Sequence, residues 1–185
     1  MKIGLIPISA KPYHLGHHKL VEIASSENDM VFLFVSTSDR NRKSEFEITG
    51  KKMLEIWKSE IETIIPRNVS IEYGGSPVRK VYEAVGNACE NNSKDIYTIY
   101  SDPFDTEKNY SLKNRSKYMQ PLYDLGQVIF AAENDPASFT RGDGTPDTSG
   151  TLVRKYLSDR DLEKFSACMP KEINCEKIFN ILTKK

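Results

Sequence analysis

The three histidines of the chain, His14, His17 and His18, fall within five consecutive residues, although scattered histidines would rarely lie so close together. His14 and His17 are three positions apart, so they project from the same side if the turn that contains them is helical. Gly16 lies between them and lets a ligand approach the backbone. Imidazole donors beside a helix start, with its partial positive charge and unpaired amides, suit an anion. This segment predicts a phosphate site, whereas His18 follows it and is interpreted as structural or solvent-facing.

A second candidate site begins at Ser149. Ser149 is a good N-cap for a helix, and Gly150 permits the close approach of a ligand. Thr151 and Arg154 are three positions apart on one helix face, which places a hydroxyl and a guanidinium beside the first amides. The segment predicts a second phosphate site. Because each candidate follows a predicted strand, we expect both to open on the edge formed by the carboxyl ends of the strands.

These two motifs, His-x-Gly-His after the first predicted strand and Ser-Gly-Thr-x-x-Arg at a late helix start, resemble those of the HxGH nucleotidylyltransferase superfamily. The run Pro-Tyr-His-Leu-Gly-His that ends at His17 is most similar to the first motif of archaeal-type nicotinamide-mononucleotide adenylyltransferases. Those proteins usually carry Gly-Arg-Phe-Gln before the proline, whereas this chain has Ile-Ser-Ala-Lys, in which Lys11 could supply the charge of the absent arginine. The resemblance implies a Rossmann-like fold. It also implies transfer of an adenylyl group from ATP to a small phosphorylated acceptor, with nicotinamide mononucleotide, giving NAD, as the best guess.

The resemblance implies roles for individual residues. His14 and His17 would bind the triphosphate and stabilise charge at the α-phosphorus as pyrophosphate leaves, and Arg154 would act with them in catalysis. Mg²⁺ would bridge phosphate oxygens, while positioning and electrostatic stabilisation would lower the barrier. The residues assigned to nucleotide or phosphate binding are Ile8, Ser9, Lys11, Gly16, Ser149, Gly150 and Thr151. The candidate substrate-binding residues are Lys19, Arg40, Asp102, Asp105 and Arg141.

Two other functions stay open. A cytidylyltransferase would use CTP and an alcohol phosphate, although such proteins usually carry Arg-Thr-x-Gly-Ile-Ser-Thr at the second motif. A non-catalytic regulator would keep the nucleotide site without turnover. Four residues have a structural explanation beside a functional one. Trp57 could stack on a base or pack in the core, and Arg141 could close over the triphosphate or be an ordinary surface residue. Arg40 could bind the acceptor or lie on a solvated face, and Asp102 could bind substrate or serve a turn.

Hydrophobic periodicity predicts the elements that position these residues. Apolar runs indicate five strands, and apolar residues at helical spacing indicate helices between and after them. This alternation predicts an α/β fold with a five-stranded, mostly parallel sheet, helices on both faces and a short helical C-terminus. Polar and turn-forming residues predict irregular segments at 101–117 and 133–148. The predicted strands are 2–8, 30–36, 69–73, 95–100 and 128–132, and the predicted helices are 17–27, 49–65, 78–90, 118–125, 149–157, 161–168 and 171–182.

Length and composition bound the class of function. At 185 residues the chain suits one domain, with a core at about 1–157 and a helical extension at about 158–185. Because 26 basic residues balance 26 acidic ones, we expect no broad positive surface for long nucleic acid. The three cysteines lack the spacing of a zinc or redox site, and no apolar run suits a signal peptide or a membrane span. We expect a cytoplasmic protein with no membrane partner, and a homo-oligomer, the state that related enzymes often have.

Overall fold

The computed structural model of the chain describes residues 1–134 and 148–184. Five strands form one sheet in the order β3-β2-β1-β4-β5, and every neighbouring pair is parallel. This confirms the predicted α/β fold. The strands are β1 (Lys2–Ile8), β2 (Met30–Val35), β3 (Val69–Tyr73), β4 (Ile96–Ile99) and β5 (Val128–Phe130).

Helices connect the strands and follow the last of them. Parallel neighbours cannot be joined by a tight turn, so the chain must cross over between them, usually through a helix. The helices are α1 (Leu15–Glu27), α2 (Gly50–Ser59), a 3₁₀ turn (Ile61–Ile64), α3 (Pro77–Glu90), α4 (Pro103–Asn109), α5 (Leu112–Tyr118), α6 (Ala131–Asn134), α7 (Gly150–Ser158), α8 (Leu162–Ala167) and α9 (Cys175–Thr183). Among the residues that the structure describes, no helix is long and apolar enough to cross a membrane.

The chain divides into two compact units. The sheet unit contains Met1–Ile8, Leu20–Ser36 and the described part of Pro66–Thr140, and it holds all five strands named above. The motif unit contains Ser9–Lys19, Thr37–Ile65 and the described part of Arg141–Lys185. Both candidate motifs therefore belong to the motif unit, and the division passes through α1.

The sheet unit is built around the two faces of its sheet. On one face the side chains of alternate strand residues pack against α3 in a buried cluster that includes Leu5, Ile99 and Val85. Gly4 faces the other side, where the Asn28 side chain at the end of α1 lies 3.1 Å from the position of an added Cβ. Helical residues thus cover both faces, and both faces exclude water from apolar side chains.

The motif unit is helical. Helix α2 and helices α7, α8 and α9 bury the side chains of Trp57, Leu157, Phe165 and Leu182. The rings of Phe165 and Phe179 meet edge to face, with their centroids 5.4 Å apart. These apolar side chains form the buried core of the motif unit.

The last strand and the last helix are shorter than predicted, because α6 begins at Ala131 and α9 begins at Cys175. Three other predicted segments differ more from the structure. The helix predicted at 49–65 ends at Ser59 and continues as the 3₁₀ turn, because Glu60 leaves helical geometry and its carboxylate accepts hydrogen bonds from the Asn174 amide and the Lys177 ammonium group. The irregular segment predicted at 101–117 contains α4 and α5, whose seven residues each are too few to show a clear apolar period. The helix predicted at 118–125 was wrong, because α5 ends at Tyr118 and turns follow.

Candidate functional site

The two histidines of the first motif hold each other in place. The Gly16 amide donates to His14 Nδ1 at 3.0 Å, and the His14 amide donates to His17 Nδ1 at 3.2 Å. The two ring centroids lie 3.9 Å apart. Since each Nδ1 accepts a hydrogen bond, a neutral ring carries its proton on Nε2. Both rings therefore present an Nε2–H donor.

Gly16 is required by the packing of the His14 ring. A Cβ at this position would lie 2.9 Å from His14 Cε1 and 3.6 Å from Thr148 Oγ1. The first distance is shorter than carbon atoms tolerate, so a larger residue would push the imidazole away. The second distance shows that Thr148, next to the second motif, lies beside the first motif.

The start of α1 differs from our expectation of unpaired amides. The Leu15 amide donates to the carbonyl of Cys168 at 2.9 Å, and the Gly16 amide is used by His14. These two donors are already satisfied within the motif unit. The imidazole rings, rather than these amides, are the groups that the first motif offers to an anion.

Tyr13 packs against the ring of His17, one of the two histidines of the first motif. Its ring stacks on the His17 ring with centroids 5.6 Å apart, and Trp57 meets it edge to face at 4.9 Å. Its hydroxyl lies 2.9 Å from Nδ1 of His18, which is buried. His18 and Trp57 thus agree with their structural interpretations, since both hold Tyr13 and, through it, the plane of the His17 ring.

The second motif reaches the first through Arg154. Ser149 accepts a hydrogen bond from the Leu152 amide at 3.1 Å and caps α7, as predicted. Arg154 Nη1 donates to the Lys11 carbonyl at 2.7 Å, and its Nη2 lies 3.4 Å from Thr151 Oγ1. A Cβ on Gly150 would lie 2.8 Å from Arg154 Nη1, so glycine lets the guanidinium fold back over the helix start.

Positive charge accumulates beside these motifs. Lys11 is 4% exposed, and its ammonium group donates to the Ser9 carbonyl at 3.0 Å. Burial lowers the pKa of Lys11 to about 8; Arg40 adds to this effect and Asp39 opposes it. Burial also lowers the pKa of Arg154, again with a contribution from Arg40. Both cations are therefore held in surroundings that a bound anion would improve.

The remaining candidates are distributed over both units. Ile8 ends β1, and Lys19 is a half-buried residue of α1. Asp102 caps α4 by accepting the Asp105 amide at 2.7 Å, and both belong to the sheet unit. Arg141 lies outside the described residues.

Sequence reasoning missed three contributors to this site. Glu45 pairs with Arg40, Thr148 lies beside Gly16, and Cys168 accepts the Leu15 amide through its carbonyl. None of these three residues belongs to a motif, and none lies at a sequence spacing that would predict its contact. Only the path of the chain brings these partners together.

The arrangement of the strands defines the fold. A parallel five-stranded sheet in this order, with helices on both faces, is a Rossmann-like α/β fold. A family model described as the citrate lyase ligase C-terminal domain matches residues 3–75, which include the histidine motif and the loop at 40–48. No curated protein matches the sequence significantly.

Solved structures resemble the whole chain. A bifunctional NMN adenylyltransferase/ADP ribose pyrophosphatase from Francisella tularensis is 15% identical, with a TM-score of 0.54 over 99% of this chain and 48% of that one. TmcAL from Thermotoga maritima, bound with alpha-thio ATP, is 13% identical, with a TM-score of 0.50 over 100% of this chain and 55% of that one. The chain thus spans about half the length of these proteins, and at such identities the likeness shows a shared fold.

Proposed function

We propose that this chain transfers an adenylyl group from ATP to a small anionic acceptor and releases pyrophosphate. The observation that carries the proposal is the paired arrangement of His14 and His17, whose Nδ1 atoms accept backbone amides so that both Nε2–H groups are donors. In the same unit Arg154 is tied to the Lys11 carbonyl. Imidazole and guanidinium donors of this kind suit the oxygens of a triphosphate.

The reaction needs little covalent chemistry from the protein. An acceptor oxygen attacks the α-phosphorus and forms a new O–P bond, while the bond from that phosphorus to the bridging oxygen breaks and pyrophosphate leaves with the electron pair. His14 and His17 donate hydrogen bonds to oxygens on which negative charge increases. Arg154 holds the phosphates that leave. Because these groups are fixed by packing before the ligand binds, they cost little reorganisation during the reaction.

A magnesium ion suits this site only as a companion of the nucleotide. In the part of the chain that the structure describes, no group of three His, Cys, Asp or Glu side chains is placed to hold a metal. Mg²⁺ in phosphoryl-transfer proteins is commonly held by substrate phosphates, waters and one or two carboxylates, so such a group is not needed. When bound, it would neutralise phosphate charge.

The acceptor is proposed to be phosphorylated, with nicotinamide mononucleotide as the first to test. The buried Lys11 and the neighbouring Arg40 are suitable partners for an acceptor phosphate. A second candidate is a carboxylate acceptor, because Arg40 already holds the Glu45 carboxylate through two hydrogen bonds of 2.8 and 3.1 Å.

An assay of pyrophosphate release tests the proposal. The protein is incubated with Mg²⁺, with ATP or CTP, and with nicotinamide mononucleotide, glycerol phosphate or a simple carboxylate. We expect release with ATP and one anionic acceptor. His17→Ala should lower the rate by on the order of 100-fold, because a preorganised donor is lost. Lys171→Ala, which changes an exposed lysine of the motif unit, is the control and should leave the rate unchanged.

Other outcomes would replace the proposal. Release only with CTP and an alcohol phosphate would indicate a cytidylyltransferase. Nucleotide binding without release in any combination would indicate a regulator. Equal rates for His17→Ala and the unmodified protein would remove the proposed role of the histidine pair.

A further inference from the structure

Glu45, on the loop 40–48 of the motif unit, lies between two guanidinium groups. Arg40 Nε donates to Glu45 Oε2 at 2.8 Å, and Arg40 Nη2 donates to Oε1 at 3.1 Å. Arg154 Nε lies 3.6 Å from the same oxygen, Glu45 Oε2. Main-chain hydrogen bonds between Arg40 and Ile48 close the base of the loop. A carboxylate therefore occupies a place where two arginines converge.

The contact with Arg154 is incomplete. The Arg154 side chain is 8% exposed, and within residues 1–134 and 148–184 its Nε has no hydrogen-bond acceptor. A separation of 3.6 Å is too long for a hydrogen bond to Glu45. A buried guanidinium donor without an acceptor is unfavourable, because it has lost its hydration. An oxyanion placed nearer to Arg154 would supply what Glu45 does not.

The surroundings carry more positive than negative charge. Lys11, Arg40, Arg42 and Arg154 interact here with the acidic residues Asp39 and Glu45. This set of six side chains contains four cations and two anions. A ligand with negative charge would restore the balance, whereas the removal of Glu45 alone would worsen it.

We propose that Arg40 and Arg154 together bind one oxyanion, a carboxylate or a phosphoryl group, and that Glu45 occupies this site as an internal competitor until the ligand displaces it. This inference deepens the proposed function, on which it rests for the identity of the oxyanion as part of a substrate: a phosphoryl group here is one of the phosphates that Arg154 holds, whereas a carboxylate belongs to the acceptor and moves Arg154 to the acceptor side. The Arg40–Glu45 pair is partly exposed, so it contributes little net stability and is easily exchanged. The incoming oxyanion accepts the two hydrogen bonds that Arg40 otherwise donates to Glu45. It also accepts a charge-assisted hydrogen bond from Arg154 Nε.

Competition by Glu45 lowers the apparent affinity of the site, because a ligand binds only the fraction of molecules in which the site is open. Replacing Glu45 with Gln removes the competing charge and keeps the shape of the side chain. Glu47→Gln is the matched control, since Glu47 is an exposed acid on the same loop and its replacement changes the net charge equally.

The experiment is calorimetric titration of the unmodified protein, Glu45→Gln and Glu47→Gln with inorganic phosphate and, separately, with acetate, in the absence of ATP. We expect Glu45→Gln to bind its preferred anion about 10-fold more tightly than the unmodified protein, and Glu47→Gln to change the affinity less than twofold. Preference for phosphate would assign the site to a phosphorylated ligand, and preference for acetate to a carboxylate. Equal effects of the two substitutions, or weaker binding by Glu45→Gln, would overturn the proposal.

A second measurement uses the unmodified protein and is independent of the folding of any variant. The ¹⁵N-resolved NMR signals of the arginine Nε–H groups are followed during the phosphate or acetate titration. Arg154 should shift most, because its Nε gains an acceptor, whereas Arg115, whose Nε already donates to the Tyr110 carbonyl at 2.7 Å, should not shift. An unchanged Arg154 signal at saturation would overturn the proposal.

Neither measurement requires turnover, so the two proposals can fail separately. Oxyanion binding that Glu45 opposes, combined with no pyrophosphate release for any substrate pair, would reject the enzymatic function and support this site. Pyrophosphate release without any effect of Glu45 on anion binding would keep the enzymatic function and reject this site.

Discussion

Arg115 of the sheet unit and Arg154 of the motif unit are both buried, yet their surroundings are opposite. Arg115 Nε donates to the Tyr110 carbonyl at 2.7 Å, its Nη1 donates to Glu133 at 3.0 Å, and its guanidinium carbon lies 3.6 Å from the centroid of the Phe130 ring. Burial alone would lower the pKa of Arg115, but the hydrogen bonds that Arg115 donates to Glu133 and Tyr123 outweigh it and the pKa is raised. Arg115 is thus a satisfied cation.

Arg154 is buried without that degree of compensation. Burial and repulsion from Arg40 lower its pKa, and Glu45 opposes the change only in part. The two arginines differ in how completely their donors are satisfied. Under the proposals above, the satisfied cation stabilises its own unit, whereas the unused buried donor of Arg154 serves a ligand.

The largest expected effect comes from replacing each arginine with Met. Arg154→Met should lower pyrophosphate release by on the order of 100-fold, because a donor to the phosphates is lost, with only a small loss of stability. Arg115→Met should lower the free energy of unfolding by about 1–3 kcal/mol, since hydrogen bonds to a charged group are lost, while the rate per folded molecule stays the same. Denaturant titration and the pyrophosphate assay measure the two effects.

Lys155→Met is the control for Arg154→Met, because Lys155 is the next residue of α7, is exposed and carries the same charge. Lys155→Met should change neither the rate of pyrophosphate release nor the free energy of unfolding appreciably. The comparison between the two units would break down if Arg154→Met lowered stability as much as Arg115→Met did, or if both reduced the rate equally.

Glycine substitutions sharpen the comparison at a smaller scale. Gly16→Ala should lower the rate by roughly 10-fold, because the new Cβ, 2.9 Å from His14 Cε1, displaces a proposed donor. Gly150→Ala should cost less, since the atom that it meets is the far end of the flexible Arg154 side chain. Gly86→Ala in α3 of the sheet unit meets no atom within 4 Å and should raise stability by about 0.5–1 kcal/mol without changing the rate.

These three variants are compared by turnover and by denaturant titration under the same conditions. If Gly16→Ala kept full activity, the precise position of the His14 ring would not matter for turnover. If Gly86→Ala changed the rate, the separation of roles between the two units would be incorrect.

The smallest expected effect is the pH dependence that Lys11 produces. Burial, reinforced by Arg40, lowers the pKa of Lys11 to about 8, so the side chain loses its charge as the pH rises through that value. Affinity for the phosphorylated acceptor should therefore fall a few-fold between pH 7 and pH 9.5. Lys11→Arg, which stays charged, should flatten this fall in a binding titration. An equal fall in both proteins would contradict the prediction.

The effect of Lys11 on the free energy of unfolding should have the opposite pH dependence to its effect on ligand affinity. Between pH 8 and the ordinary lysine value of 10.5, the unfolded chain binds more protons at Lys11 than the folded chain does. The contribution of Lys11 to the free energy of unfolding therefore becomes more favourable as the pH rises through this window. The difference between the unmodified protein and Lys11→Met, measured by denaturation at several pH values, isolates this contribution.

Much of the fold was predictable because its signals are local. The bounds of β1 and β3 agree with the predicted strands, and Ser149 caps α7 as expected. The short polar helices α4 and α5 were not predicted. Asp102 and Ser111 are their N-caps, but seven residues are too few to show the apolar periodicity of a helix. The motifs themselves were recognisable, because histidines, glycines and caps are confined to a few adjacent positions.

The sequence by itself determined the five strands, the longer helices between and after them and the two short motifs, since apolar periodicity, capping residues and motif spacing act over a few residues. Tertiary structure decided what those motifs present to a ligand. Arg154 reaches the carbonyl of Lys11 across 143 positions, Cys168 takes up the Leu15 amide, and Glu45 enters between two arginines. Such partners are chosen by the path of the whole chain, and no local pattern records them. For that reason the sequence could predict an anion site here, while only the folded chain shows that the Leu15 and Gly16 amides are already engaged, which leaves the imidazole rings as the proposed donors.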